Sequence, residues 1–182
     1  AEAKREHIPI ETVCLFSGGN DSTVLAHRCR EHYDRLVFID TGTAVPGVRE
    51  FVESFAEWIG KSLTVHEAGD AFRRMVLGDT GPAFGFPGPA QHGRAYTRIK
   101  ERQLEAMLRE AKAGRPRSAR VLALTGVRRS ESARRASRMP ITRRSSLVFA
   151  NPLIDWTNAA MRRYRVEHEL PESDVAALIH RS

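Results

Sequence analysis

Short apolar, β-rich runs alternate along the chain with stretches of helical period. The first run, Thr12-Val13-Cys14-Leu15-Phe16, stops at Ser17-Gly18-Gly19-Asn20-Asp21, and the helix-forming residues Ser22 through Cys29 follow, so this stretch reads as strand, glycine loop, helix. Leu36-Val37-Phe38-Ile39 repeats the strand signal and ends in Asp40-Thr41-Gly42. Beyond it Val48, Phe51, Val52, Phe55 and Ile59 share one face of a helix, with Pro46 suited to its first turn and Gly60 to its close. A third short strand covers 62–66, and Asp70 is placed to cap a helix running through Leu77.

From 78 to 93 the pattern breaks. Gly78, Gly81, Pro82, Gly85, Pro87, Gly88, Pro89 and Gly93 mark a long loop without regular structure, a binding element or a surface excursion. A helix over 96–113 comes next, then the strand Val121-Leu122-Ala123-Leu124 ending in Thr125-Gly126. An arginine- and serine-rich stretch leads to the strand Ser146-Leu147-Val148-Phe149-Ala150, which Asn151-Pro152 stops, and amphipathic pieces over 158–169 and 172–180 finish the chain. This order predicts an α/β fold class: a Rossmann-like, doubly wound, mostly parallel sheet with helices on both faces, whose ligands gather beyond the strand C-termini. The expected organisation is a flexible arm over 1–10, a ligand-binding α/β domain over 11–157 and a C-terminal helical segment over 158–182. Apolar Val175, Leu178 and Ile179 so near the end raise the question of a truncated segment.

Composition narrows the class. With 182 residues, 41% of them hydrophobic, the chain suits one domain with a real core. Cys14 and Cys29 supply neither a disulfide framework nor a CxxC spacing, and no apolar run approaches the roughly 18 to 20 residues that cross a bilayer. The expectation is a cytoplasmic protein without a membrane partner. The net charge of +7 is uneven: residues 115–144 hold ten arginines, no lysine and one acid, Glu131. Guanidinium groups suit phosphate-rich partners, although only four of the 29 basic residues are lysines, so part of the excess is compositional.

The first loop is the most specific chemical signal. Ser17-Gly18-Gly19-Asn20-Asp21-Ser22 sets two glycines where backbone approaches a ligand, ahead of a helix whose N-terminal amides favour an anion. Together with Phe16 this segment resembles the SGGxDS loop of the N-type ATP pyrophosphatases and the related phosphoadenylyl-sulfate (PAPS) reductases. Asp40-Thr41-Gly42 resembles the DTG segment beside the adenosine in that superfamily. Thr125-Gly126-Val127-Arg128-Arg129-Ser130-Glu131-Ser132, with Arg134 and Arg135, resembles the GxRRxES segment that faces the phosphate or sulfate end of the nucleotide. Asn151-Pro152-Leu153-Ile154-Asp155-Trp156-Thr157 is similar to the P-L-x-D-W-T stretch of the same proteins.

The resemblance implies a nucleotide site. Gly18, Gly19 and Asn20 amides with the Ser17 and Ser22 hydroxyls would hold the phosphate chain, and Asp21 would order the loop or meet Mg2+. Asp40, Thr41, Gly42 and Gly126 would line the nucleotide, Arg128 and Arg129 would clamp a terminal phosphate or a leaving pyrophosphate, and Arg98 and Lys100 are second-rank contacts. Asp21, Arg128 and Arg129 are thus the candidate catalytic residues. The cysteines that many relatives carry near 93–96 and near the C-terminus are absent, so no Fe–S cluster is expected, and Cys14 and Cys29 read as small buried hydrophobes. Seven scattered histidines show no metal-ligand spacing, with His92 the one worth testing, and no metal site is expected. Trp58 is expected to pack on its helix's apolar side, and Trp156 to wedge the final helices against the sheet.

Three functions follow as expectations. The leading one is an enzyme acting at the α-phosphate of ATP, with Mg2+, releasing pyrophosphate and adenylating an unknown acceptor. The alternatives are a PAPS reductase-type sulfonucleotide enzyme whose thiol comes from elsewhere, or a nucleotide-sensing subunit of a nucleic-acid modification complex. The corresponding partners are an adenine nucleotide (ATP or PAPS), DNA or RNA, a partner protein, and a second copy in a homodimer.

Overall fold

Val13 and Cys14 are neighbours in one strand, point to opposite faces and are both 0% exposed, so the sheet is covered on both sides. The computed structural model describes residues 9–78, 85 and 89–173, with the side chains of 89–96, 98 and 134 outside that description. Its strands are β1 (Glu11–Leu15), β2 (Arg35–Asp40), β3 (Leu63–Glu67), β4 (Val121–Leu124), β5 (Ile141–Arg144) and β6 (Leu147–Ala150). Its helices are α1 (Asn20–Arg28), α2 (Val48–Ile59), α3 (Ala71–Leu77), α4 (Pro89–Ala111) and α5 (Asn158–Glu167). The sheet order is β3-β2-β1-β4-β6-β5. All neighbours pair in parallel except the β5–β6 hairpin at one edge. The fold class read from the sequence is the one observed.

Two cores follow from the alternation. Cys14, Leu36, Phe38 and Leu124 pack with Val24 and Leu25 of α1, Val52 and Phe55 of α2 and Met161 of α5. Val13, Val37, Val121 and Ala123 face the other way, onto Met107 of α4, with Leu104 and Leu108 beside it. The segment after residue 157 shares the first core through Met161 and Leu170. No helix among the described residues is long and apolar enough to cross a membrane.

Several boundaries differ from the sequence reading. The helix expected to begin near 96 starts at Pro89, where a fixed φ and a missing N–H suit a first turn, so residues 89–93 are helical rather than loop. Residues 79–84 and 86–88 of that expected loop lie outside the described residues, as do 1–8 of the arm and 174–182 of the final piece. Pro46 precedes α2, whose N-cap is Gly47. Asp70 holds the N-cap position of α3 without a side-chain cap hydrogen bond. Strand β5 is the element that the periodicity missed. All four of its residues are exposed, so no apolar face marks it, and only pairing with β6 makes it a strand.

Candidate functional site

The chain leaves β1 through α1 toward β2 on one side of the sheet, whereas β4 leads toward β6 on the other. At such a switch the loops part and leave a crevice beyond the strand ends. The exit loop of β1 turns at Gly18, whose φ of 75° lies in the left-handed region. A Cβ there would also meet Val52 Cγ2 at 3.2 Å, so α2 packs directly on the loop. Gly19 caps α1 with no side-chain hydrogen bond. The first-turn amides of Asn20, Asp21 and Ser22 therefore have no acceptor within the helix, and they sit at the positive end of its dipole.

Hydroxyls rigidify this turn. Ser22 Oγ donates to the Gly19 carbonyl at 2.8 Å and accepts from the Ser17 amide at 3.2 Å, and the Ser17 and Ser22 hydroxyls lie 3.2 Å apart. Thr23 Oγ1 donates to the same carbonyl at 3.1 Å. Ser22 is buried, whereas Ser17 is exposed and open to a ligand. From the neighbouring strand, Gly126 presses against α1: a Cβ at that position would come within 3.2 Å of the Asp21 carbonyl carbon and oxygen.

Arg128 ties the two loops together. Its Nε donates to Asp21 Oδ2 at 2.8 Å and its Nη2 to Asp21 Oδ1 at 3.1 Å, a bidentate fork. Nη1 donates to Ser130 Oγ and Asn158 Oδ1, both at 2.9 Å, and to the Trp156 carbonyl at 3.2 Å. The side chain is 6% exposed, and these contacts use most of its five donors. Arg129 differs: 35% exposed at the rim, it donates to Asp155, itself 69% exposed, and to the Arg138 carbonyl. An exposed pair of this kind is worth about 0 to 1 kcal/mol, whereas removing one partner of a buried pair costs about 3 to 5 kcal/mol. Arg129 can exchange its carboxylate for a phosphate. Arg128 is held in place.

The other expected residues are spread more widely. Asp40 Oδ1 accepts from the Gly42 amide at 2.9 Å, and Thr41 is buried with its hydroxyl 2.9 Å from that of Thr43. Gly42, with φ of 70°, lies so close to the carbonyl of Gly69 that a Cβ would sit 2.9 Å from it. These residues occupy the exit loop of β2, next to that of β1. Lys100 is half-buried on α4, the helix that covers the opposite face of the sheet from α1, and the side chains of Arg98 and His92 lie outside the described residues. Asn158, Ser130 and the Trp156 carbonyl were not read as site residues. Ser130 and Trp156 stand in two of the family-like segments without a role of their own, and nothing in type or spacing marks Asn158; Ser130 reaches Arg128 from two residues along the same loop, whereas the fold of residues 151–158 over the β4 loop brings Asn158 and the Trp156 carbonyl to it.

Both thiols lie under the site in the first core, and burial pushes each above its ordinary value. Trp58 lies tilted against Phe55, ring centres 5.4 Å apart, yet remains 49% exposed, and Trp156 packs edge-on to Tyr164 of α5 at 5.6 Å. A protein-held Mg2+ does not fit well: both Asp21 oxygens already accept from Arg128, and no group of three metal-type side chains occurs among the described residues.

The phosphoadenosine phosphosulfate reductase domain family matches residues 11–176 of the chain. A phosphoadenosine 5'-phosphosulfate reductase of Thiocapsa roseopersicina is 26% identical over 172 residues, covering 92% of this chain and 67% of that protein. Among solved structures, the PAPS reductase of Candida auris in its phosphate complex is similar at a TM-score of 0.67 and 18% identity, over 97% of this chain and 81% of its own. The NH3-dependent NAD synthetase of Campylobacter jejuni, in complex with the nitrate ion, gives 0.59 at 14% identity over 93% and 68%. Yeast FAD synthetase gives 0.51 at 16% identity over 92% and 53%. At these identities the structural likenesses speak for the fold.

Proposed function

Because this chain belongs to the phosphoadenosine phosphosulfate reductase domain family, we propose that it is an enzyme that seats the phosphates of an adenine nucleotide on the first turn of α1 and acts at the α-phosphate. The observation that carries this reading is the Asp21–Arg128 fork. It neutralises the carboxylate on the cradle's own turn, so the free amides meet an incoming phosphate without opposing charge, and it locks that turn before the ligand arrives. Asp21 and Arg128 are thus positioning residues, while Ser17, the first-turn amides and Arg129 touch the phosphates. Asp40 and the backbone at Gly42 lie one loop away, where the nucleoside would extend.

The reaction follows from the charge that develops. An acceptor oxygen attacks the α-phosphorus of ATP and forms a new P–O bond as the bond to the bridging oxygen breaks. Pyrophosphate leaves with the electron pair, and the acceptor's proton passes to solvent. Arg129 and the helix amides stabilise the leaving charge.

A second reading, action on PAPS, is favoured by the family and by the Thiocapsa relative. It is opposed by the burial of both thiols, which leaves no described cysteine able to reach a sulfate ester. Calorimetric titration with ATP and with PAPS, beside assays for pyrophosphate and sulfite release, separates the two. Tighter ATP binding with pyrophosphate release supports the leading reading. Preference for PAPS supports the second, and binding of neither removes the site.

A further inference from the structure

Arg49, near the start of α2, is outnumbered by carboxylates. Its Nε donates to Glu53 Oε1 at 3.1 Å and its Nη1 to Glu67 Oε1 at 2.5 Å, and Nη1 lies 3.9 Å from Asp40 Oδ2. Asp40 and Glu67 are the last residues of β2 and β3 and are register partners across the two strands. Like charges set opposite each other repel, and Arg49 is the bridge between them. Among the described residues no other cation stands within ion-pair distance of Asp40, Glu53 or Glu67, so three negative charges meet one positive.

This group stands beside the phosphate cradle. Arg49 follows Val48, whose Cγ1 a Cβ at Gly18 would meet at 3.4 Å. The exits of β2 and β3 are drawn together here: the Ala68 amide donates to the Asp40 carbonyl at 2.7 Å, and Gly42 approaches the Gly69 carbonyl. Asp40 Oδ1 takes the Gly42 amide, while Oδ2 faces Arg49 beyond hydrogen-bond distance and has lone pairs for a further donor. In a doubly wound fold an acid at the end of the second strand, about 20 residues past the glycine loop, is placed to accept from ribose hydroxyls. A phosphate ester on such a hydroxyl removes the donor and adds about −1.5 to −2 of charge. Here that charge would enter a region already in negative excess, where each like-charged neighbour repels it.

We infer that the chain takes adenine nucleotides whose ribose 3′-hydroxyl is free and turns away those that carry a 3′-phosphate. ATP falls in the first class and PAPS in the second, whatever either carries at its 5′ end. The acids are no site of their own: the inference rests on the reading that the nucleoside extends from the α1 cradle past Asp40.

The test is calorimetric titration of the full chain with two matched pairs that differ only at the 3′ position, beside ATP itself. The pairs are AMP with adenosine 3′,5′-bisphosphate, and adenosine 5′-phosphosulfate with PAPS. At low salt the 3′-hydroxyl member of each pair should bind at least about tenfold more tightly, and the gap should narrow in about 1 M potassium chloride, where screening reaches contact distance. The variant E53Q/E67Q leaves Arg49 with Asp40 alone. It should keep ATP affinity within about twofold and shrink the gap at least about fivefold, and adding R49Q to it should reopen the gap. Both substituted acids are about half exposed, and a urea transition checks that the variants fold. Equal affinity within each pair, a gap that E53Q/E67Q leaves intact, or preference for the 3′-phosphorylated members would overturn the inference while the nucleotide site stands. Binding of none of the five ligands would instead remove the site reading, and the inference with it.

Discussion

Two adjacent arginines that look alike in the sequence do different work. Arg128 is buried and forked onto Asp21, whereas Arg129 sits at the rim against exposed Asp155. Arg128→Ala should therefore cost about 3 kcal/mol in urea unfolding, since it takes the guanidinium from the part-buried Asp21 carboxylate and unties Asn158 from the β4 loop, and should lower nucleotide affinity in consequence. Arg129→Ala should change stability by less than about 1 kcal/mol while weakening nucleotide binding directly. A calorimetric and urea comparison in which both variants lose stability equally would remove the distinction. The thiols make a second residue-level test. Burial raises both Cys14 and Cys29, so the folded chain stays protonated where the unfolded chain loses its protons. Above the unfolded thiol pKa, stability should fall as pH rises, and a thiol reagent should label the cysteines only after denaturant is added.

At the scale of elements, the site depends on how closely a strand exit can approach a helix start. A methyl group at Gly126 would press on backbone atoms of Asp21 and Ser22, atoms that cannot rotate away. Gly126→Ala should displace the β4 loop from α1 and weaken nucleotide binding about tenfold or more, read by calorimetry, with only a modest loss of stability. The other end of α1 is joined to α5 through His27, whose Nδ1 lies 3.0 Å from the Tyr164 hydroxyl and whose Nε2 lies 3.3 Å from Arg30 Nη1. Burial, then Arg30, then His168 hold its pKa below the ordinary value. The unfolded chain therefore takes up a proton first as pH falls below about 6.5, so the stability present above that pH is lost on acidification until the folded ring also protonates. His27→Gln should flatten that part of a pH–stability curve.

The elements themselves were legible to unequal degrees. β4 matches its expected bounds because Val121 through Leu124 are apolar on both faces, as a central parallel strand requires, and the apolar stripe of α2 and its close at Gly60 match, although Pro46 stands before its N-cap rather than in its first turn. β5 was not legible, since its residues are polar or solvent-facing and its strand state comes from β6 alone.

For the whole molecule, five parallel strands and one antiparallel edge place every chemically marked loop at one end of the sheet. The segment after residue 157 belongs to that arrangement, because Asn158 holds Arg128 and Met161 and Leu170 complete the first core. A chain cut after residue 157 should lose cooperative urea unfolding and nucleotide binding together, and a cooperative transition in that fragment would show that the site can be held without α5. The sequence by itself determined the strand and helix alternation, the glycine loop with its open helix N-terminus and the surplus of arginine. Each of those rests on local chemistry: side-chain period, φ freedom and charge. Only the tertiary structure decided that Arg128 belongs to Asp21 while Arg129 remains exchangeable, that Asn158 and the Trp156 carbonyl complete the site, and that the arginines of 115–144 divide between a buried fork and an exposed edge. Those outcomes depend on which distant segments meet and on how much water remains between them, and neither is written in any one stretch of chain.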